Sequence, residues 1–225
     1  MTRPIAVLRP EPGNRATAAA IEAAGHTAIR LPLFEVRPIA WRPPDPAAFD
    51  ALLLTSANAL RHGGAGLASL RALPVHAVGE ATAATARGAG FSVAATGTGG
   101  AAALIADASD AGVRHALHLA GRDRTMIAPG GIVARVVAVY ASAPQPIGNE
   151  AVGALAGSVV LVHSARAGAR LAAVVDAAGI DRARIALVAI GAEAAARAGP
   201  GWQTVVVAPG PRAEALIEAA IALAD

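Results

Sequence analysis

The chain predicts an α/β protein made of two similar parallel-sheet domains, and three observations carry that prediction. Short apolar runs of strand length alternate with alanine-rich runs of helix length, the pattern of parallel strands covered by helices on both faces. One strand-to-helix unit, Leu52-Leu-Leu-Thr-Ser56-Ala57, returns as Val160-Leu-Val-His-Ser164-Ala165, and Ala77-Val78-Gly79 and Ala103-Leu104-Ile105 return in the same order as Ala189-Ile190-Gly191 and Ala215-Leu216-Ile217. A repeat spaced by roughly 110 residues is a duplicated domain, not a solenoid of short units. Lastly, two proline-marked extended stretches, near 36–44 and 140–147, read as the places where the chain crosses to a second domain and returns.

Taken in order, Ile5-Ala-Val-Leu8 is the first strand, and Arg9-Pro10-Glu11-Pro12-Gly13 breaks it because proline and glycine set a loop. A helix follows over Ala16–Ala24, ended by Gly25 at a C′ position. Thr27 to Phe34 forms the next strand, and Arg37-Pro38, Pro43-Pro44 and Pro46 make a stiff, extended stretch after it. Strands are predicted at 51–54, 75–78, 92–95, 115–119 and 133–139, with helices between them. Ala51 to Leu54, apolar throughout, reads as a strand buried on both faces. Ser56 is suited to cap the next helix, its hydroxyl accepting from an N–H two or three residues on. Such a junction leaves unpaired N–H groups and a positive dipole end that suit a carboxylate or phosphate. Tyr140 ends the 133–139 strand, Pro144 and Pro146 mark the return crossing, and the second copy runs to Asp225. The expected domains are 1–36 with 147–225, discontinuous, and 41–138 as an insertion, with linkers at 37–40 and 139–146. Ligands of open α/β sheets bind beyond the strands' carboxyl ends, so a shared cleft between the domains is the expected site.

Composition narrows the function classes. The chain has 225 residues, 55% hydrophobic, but alanine inflates that share and the mean hydropathy of +0.50 does not mark a membrane protein. No apolar stretch approaches the ~20 residues of a spanning helix, and Ile5 to Leu8 is too short for a signal-peptide core. Cysteine is absent, which excludes disulfides, thiolate catalysis and Cys-ligated zinc. A cytoplasmic, monomeric protein is expected. All 19 basic residues are arginine, which lifts the pI to 10.8, yet the net charge is only +3 and aromatic residues make up 3%. Dispersed arginines with few aromatics do not make a nucleic-acid surface.

The usual catalytic machinery is missing. Gly97-Thr-Gly99-Gly-Ala-Ala102 fits the dinucleotide pattern, but it lies deep within a domain and no acidic residue ends the next strand; a tight turn needing small residues accounts for it. His115 and His118 on one strand face opposite ways, so a shared metal is not expected. His163 and Ser164 point apart, with no acid placed to orient the histidine, so no triad forms. An enzyme with this inventory acts by holding its substrate in shape. Tyr140, the single tyrosine, could donate a proton or steady a developing charge, or simply cap a strand end with its ring in the core. Leu119-Ala120-Gly121-Arg122-Asp123-Arg124 reads equally as an anion-binding loop or a solvated one.

Leu8-Arg9-Pro10, Leu54-Thr55-Ser56-Ala57-Asn58-Ala59, Val78-Gly79-Glu80-Ala81-Thr82-Ala83, Leu119-Ala120-Gly121, Val139-Tyr140, His163-Ser164 and Ile190-Gly191, in that order, resemble the uroporphyrinogen-III synthase family over nearly the full length. The resemblance implies two α/β domains joined by a two-stranded linker, the first domain discontinuous. It implies a cyclising lyase that takes hydroxymethylbilane, a linear tetrapyrrole with eight carboxylates, expels water and closes the ring with inversion of ring D. No metal or organic cofactor is implied. The family's cleft tyrosine maps onto Tyr140. The groups that grip acetates and propionates map onto Ser56, Thr82 and Ser164, with Arg9 and Arg122 as further carboxylate partners. Ala192-Glu193-Ala194 departs from the hydroxyl residues that some members carry, and a glutamate there is expected to point away from a polycarboxylate. Two other classes share parts of the pattern: a two-lobed small-molecule binding protein, normally exported, and a nucleotide-dependent transferase or oxidoreductase using the Gly97 loop.

Overall fold

A computed structural model describes residues 2–123, 130–210 and 212–225. The chain opens with β1 (Ile5–Val7), α1 (Gly13–Ala23), β2 (Ala28–Arg30) and β3 (Phe34–Pro38). It continues through β4 (Ala51–Leu54), α2 (Asn58–His62), β5 (Val75–Ala77), α3 (Glu80–Gly88), β6 (Val93–Thr96), α4 (Gly100–Asp110) and β7 (Ala116–Gly121). A long β8 (Val133–Pro144) leads to α5 (Asn149–Gly153), β9 (Val159–Val162), α6 (Ala165–Ala177) and β10 (Ala186–Ala189). Then come α7 (Ala192–Ala198), β11 (Thr204–Val207) and α8 (Ala213–Ala224).

The strands form two sheets, ordered β11-β10-β9-β1-β2 and β3-β8-β7-β4-β5-β6. Pairings of β1 with β2 and β9, of β10 with its neighbours, and of β4, β5 and β7 with theirs are all parallel. This is the α/β class with parallel sheets that the sequence predicts. Two compact units result: Met1–Glu35 with Ala143–Asp225, and Val36–Ser142. Their borders fall inside β3 and β8.

Each unit is a sheet with a core on both faces, because its central strands (β1, β9 and β10, or β4, β5 and β7) are apolar runs interrupted only by His76 and His118, both buried. In the first, Val160, Val162, Leu171 and Leu187 form one core with α6 and α7, and Ile5, Val7, Leu161, Ile21 and Leu216 form the other with α1 and α8. Val159 to Val162 are each 0% exposed, and burying such side chains stabilises by about 1.5–3 kcal/mol apiece. In the second unit, Leu52, Leu54, Leu117 and Leu119 face α2 and α3, while Leu53 and Ala116 pack with Ala108 of α4.

The sheet orders also explain the repeat. From β4 the chain adds β5 and β6 on one flank and later β7 and β8 on the other. From β9 it adds β10 and β11, and the opposite flank is supplied by β1 and β2 from the other end of the chain. Thus β7 and β1 occupy equivalent places. Both sheets reverse their winding there, at β4/β7 and at β1/β9, and it is outside the carboxyl ends at such points that α/β sheets hold ligands.

Most boundaries lie within one or two residues of expectation, and three differ by more. Helix α1 begins at Gly13, ahead of Ala16, directly after Pro12 fixes the turn. The single strand expected over Thr27–Phe34 is two, β2 and β3, because Pro32 has no N–H for a ladder and the chain leaves one sheet for the other there. Tyr140 does not end its strand, since β8 runs on to Pro144, so Pro144 and not the tyrosine marks the stop.

Candidate active site

In the 36–142 unit Leu54 lies opposite Leu119 at the winding reversal, so Thr55 and Ser56 leave β4 where Ala120 and Gly121 end β7. Ser56 Oγ accepts the Asn58 N–H at 3.2 Å, two residues on as expected, although α2 itself begins only at Asn58. Thr55 Oγ1 lies 3.0 Å from His118 Nε2, and His118 is 1% exposed. The Thr55 hydroxyl and one ring nitrogen of the buried His118 therefore serve each other. Thr82 is buried in the first turn of α3, where it packs against the core beside Ala83, one strand away from the reversal.

Tyr140 is seated by its neighbour across the sheet. The register pairs Gly121 with Tyr140, and a Cβ at Gly121 would stand 2.7 Å from both Cε2 and Cζ of the tyrosine and 3.0 Å from its Oη. Only glycine lets the ring lie there. The His62 ring stands 6.3 Å away, tilted by 40°, and burial, helped by Arg61, lowers the pKa of His62, so a neutral imidazole borders the phenol. The Arg122 N–H donates to the Tyr140 carbonyl at 2.8 Å, which fixes the loop to the tyrosine's own backbone. The Arg122 side chain is 61% exposed and lies 3.5 Å from Asp123, whose other oxygen accepts the Ser142 N–H at 2.9 Å. Arg124, the second arginine of this loop, lies outside the described residues.

In the other unit the reversal places Arg9 beside His163 and Ser164. Ser164 is the N-cap of α6, its Oγ accepting the Ala167 N–H at 3.1 Å. Arg9 is half-buried and lies across the start of α1: a Cβ at Gly13 would stand 2.4 Å from its Nε, and its Nη1 reaches Thr17 Oγ1 at 3.5 Å. Burial lowers the Arg9 pKa, and among the described residues no carboxylate pairs with it. His163 has both ring nitrogens buried, and among the described residues neither finds a partner of hydrogen-bonding geometry. Burial pushes its pKa down to about 4, the Arg9 cation pushes the same way, and the Leu161 carbonyl opposes weakly. Sequence reasoning set His163 aside with the triad. The signal that could have found it is its place in the repeat, where Thr55 stands in the other copy.

The geometry thus gathers Ser56, Arg122 and Tyr140 in one unit and Arg9 and Ser164 in the other, and leaves Thr82 packed apart. Glu193 is exposed in the first turn of α7. The Gly97 loop follows β6, an edge strand, whereas a dinucleotide loop belongs on a central strand at the reversal. Among the described residues no group of three His, Asp or Glu side chains could hold a metal ion, and no helix is long and apolar enough to cross a membrane. A cavity of about 340 Å³ lined by Asp50, Pro74, His76 and Val113 lies at the opposite, amino end of β4 and β5. Asp50 there already accepts the Arg114 and His115 N–H groups at 2.8 and 3.1 Å, so its carboxylate ties the sheet and is not free for chemistry.

A family model described as uroporphyrinogen-III synthase HemD matches residues 15–218. No curated protein matches the chain. Among solved structures, the uroporphyrinogen-III synthetase of Helicobacter pylori superposes with a TM-score of 0.65 at 20% identity, covering 98% of this chain and 99% of that one. A mutant uroporphyrinogen III synthase of Thermus thermophilus superposes with a TM-score of 0.53 at 15% identity, covering 96% of each chain. At these identities the two structures speak for the fold.

Proposed function

The chain belongs to the uroporphyrinogen-III synthase family, and from that premise we propose that Tyr140 assists the departure of water while the two strand-end clusters hold the substrate's carboxylates. The activity is that of a cyclising lyase of tetrapyrrole biosynthesis, which converts hydroxymethylbilane to uroporphyrinogen III. The binding-protein and nucleotide-dependent readings are not favoured, the second also because its loop sits on an edge strand.

The chemistry asks little of side chains and much of shape. The hydroxymethyl C–O bond breaks as water leaves, a pyrrole nitrogen supplies the electron pair, and an azafulvene cation forms. That cation must meet the substituted carbon of ring D, giving a spiro intermediate that reopens and recloses with ring D inverted. Left in water, the bilane closes without inversion to the type I isomer. Specificity therefore comes from holding one conformer, for which orientation is worth several orders of magnitude. A phenol aimed at the leaving hydroxyl can donate its proton and then, as phenolate, face the cation.

The observation that carries this reading is the seat of Tyr140: its phenol rests on Gly121 of β7, a strand of the winding reversal, and its carbonyl holds the backbone of Arg122, whose side chain is exposed. Carboxylates suit such a place, since backbone N–H groups and guanidinium forks donate to them without a proton of their own to lose. To test it, freshly generated hydroxymethylbilane is given to the purified protein and the oxidised products are separated into type I and type III uroporphyrin. Predominant type III is expected, with Tyr140→Phe lowering kcat about a hundredfold. Type I alone, at the rate of the blank, would sink the reading.

A further inference from the structure

We propose that Arg9 and His163, side by side at the carboxyl ends of β1 and β9, form a carboxylate-binding subsite in which the neutral imidazole of His163 is a hydrogen-bond donor. The proposal rests on the activity above and adds a substrate-binding residue to it.

Register comes first. Val7 pairs with Leu161 in parallel strands, and two residues further along both chains stand Arg9 and His163. Aligned residues of parallel strands point to the same face, here the face of Ile5, Val7, Val159 and Leu161, which α1 and α8 cover. Arg9 lies against α1 as that alternation requires.

The other copy of the fold shows what this position needs. There Leu53 pairs with His118, and Thr55, two residues on, bonds that histidine at 3.0 Å. In the repeat Leu53 corresponds to Leu161 and Thr55 to His163, so the place of His118 is taken by Val7. One copy closes its polar pair internally. The other has an apolar valine where the partner would be and, among the described residues, leaves an imidazole unpaired and adds a guanidinium without a carboxylate partner. Ala120 holds the Arg9 position in the closed copy.

A buried imidazole N–H without an acceptor costs about 1–3 kcal/mol unless a ligand completes it. The half-buried Arg9 guanidinium, whose one side-chain contact among the described residues is the long 3.5 Å approach to Thr17 Oγ1, has N–H groups to spare for the same ligand. The ligand must accept from both a cation and a neutral N–H, which is what a carboxylate does. Sited at the winding reversal, the pair would grip one acetate or propionate arm of the tetrapyrrole.

The experiment has two readouts on the whole protein. With ring-labelled histidine, the His163 NMR resonance, identified by its loss in His163→Leu, should move when uroporphyrin III is added, and should stay still in Arg9→Gln. In steady state, His163→Leu should raise KM for hydroxymethylbilane about five- to tenfold with kcat within twofold, and His163→Gln, which keeps an N–H, should recover most of the loss. An unmoved resonance while porphyrin fluorescence reports binding overturns the subsite, as does an unchanged KM in His163→Leu. A wild-type protein that yields only type I removes the premise itself, and that result is read before any variant is made.

Discussion

Gly121 contributes nothing of its own to chemistry, yet the position of the phenol depends on it. A methyl group at that position would stand 2.7 Å from two ring carbons of Tyr140, well inside contact distance, so the ring has to swing away. Gly121→Ala is therefore expected to cost about 1–3 kcal/mol of stability from overpacking and to lower kcat nearly as far as Tyr140→Phe does, read by urea unfolding and single-turnover rates. A variant that loses stability but keeps its rate would detach the phenol from catalysis. Thr55→Val separates the two kinds of polar pair. It strands His118 Nε2 in the core and should cost about 1–3 kcal/mol without changing KM. Of these residues the sequence singles out Tyr140, because it is the sole tyrosine. Its seat was not legible, because the contact is made by the register of β7 on β8 and no local pattern encodes register between strands that distant in sequence.

At the scale of elements, the central strands were legible because burial on both faces leaves them as unbroken apolar runs: Ala51–Leu54 and Val159–Val162 are buried at every residue. Edge elements were harder. Strand β11 alternates weakly, with Val205 and Val207 exposed, and the β2–β3 break turns on one proline within an otherwise plausible run. Helix starts posed a different question, since a serine at such a start caps backbone N–H groups whether or not it also meets a ligand. Ser164 allows the two roles to be separated. Ser164→Ala removes the cap on the Ala167 N–H and should cost about 1 kcal/mol. Ser164→Asp keeps the cap and favours the helix dipole, so stability should hold or rise, while the added negative charge repels a polycarboxylate and raises KM severalfold. If KM in Ser164→Asp matches wild type, Ser164 serves only the helix.

For the whole molecule, folding one copy of the repeat from both ends of the chain leaves a titratable defect in that copy. His163 has a folded pKa of about 4 against an ordinary 6.5, so between those values the unfolded chain binds a proton that the folded chain refuses. Stability thus rises with pH across the window: the His163 contribution is fully present above about pH 6.5 and is lost as pH falls toward 4, by up to about 3 kcal/mol. The depressed pKa values of His62 and His76, both lowered chiefly by burial, act in the same direction. The units can unfold in separate steps, so the measurement should follow the right one. Trp202 is buried in the core that α6 and α7 cover, and the only other tryptophan is Trp41, which lies in the 36–142 unit. In a Trp41→Phe background, urea unfolding followed by Trp202 fluorescence should show a steep fall in stability from pH 6.5 to 4.5, and His163→Leu should flatten most of it. Equal slopes with and without His163→Leu would mean that the imidazole is not the group resisting the proton, and that the acid sensitivity belongs to carboxylates of the same unit such as Glu11 and Asp176, since His62 and His76 lie in the other unit.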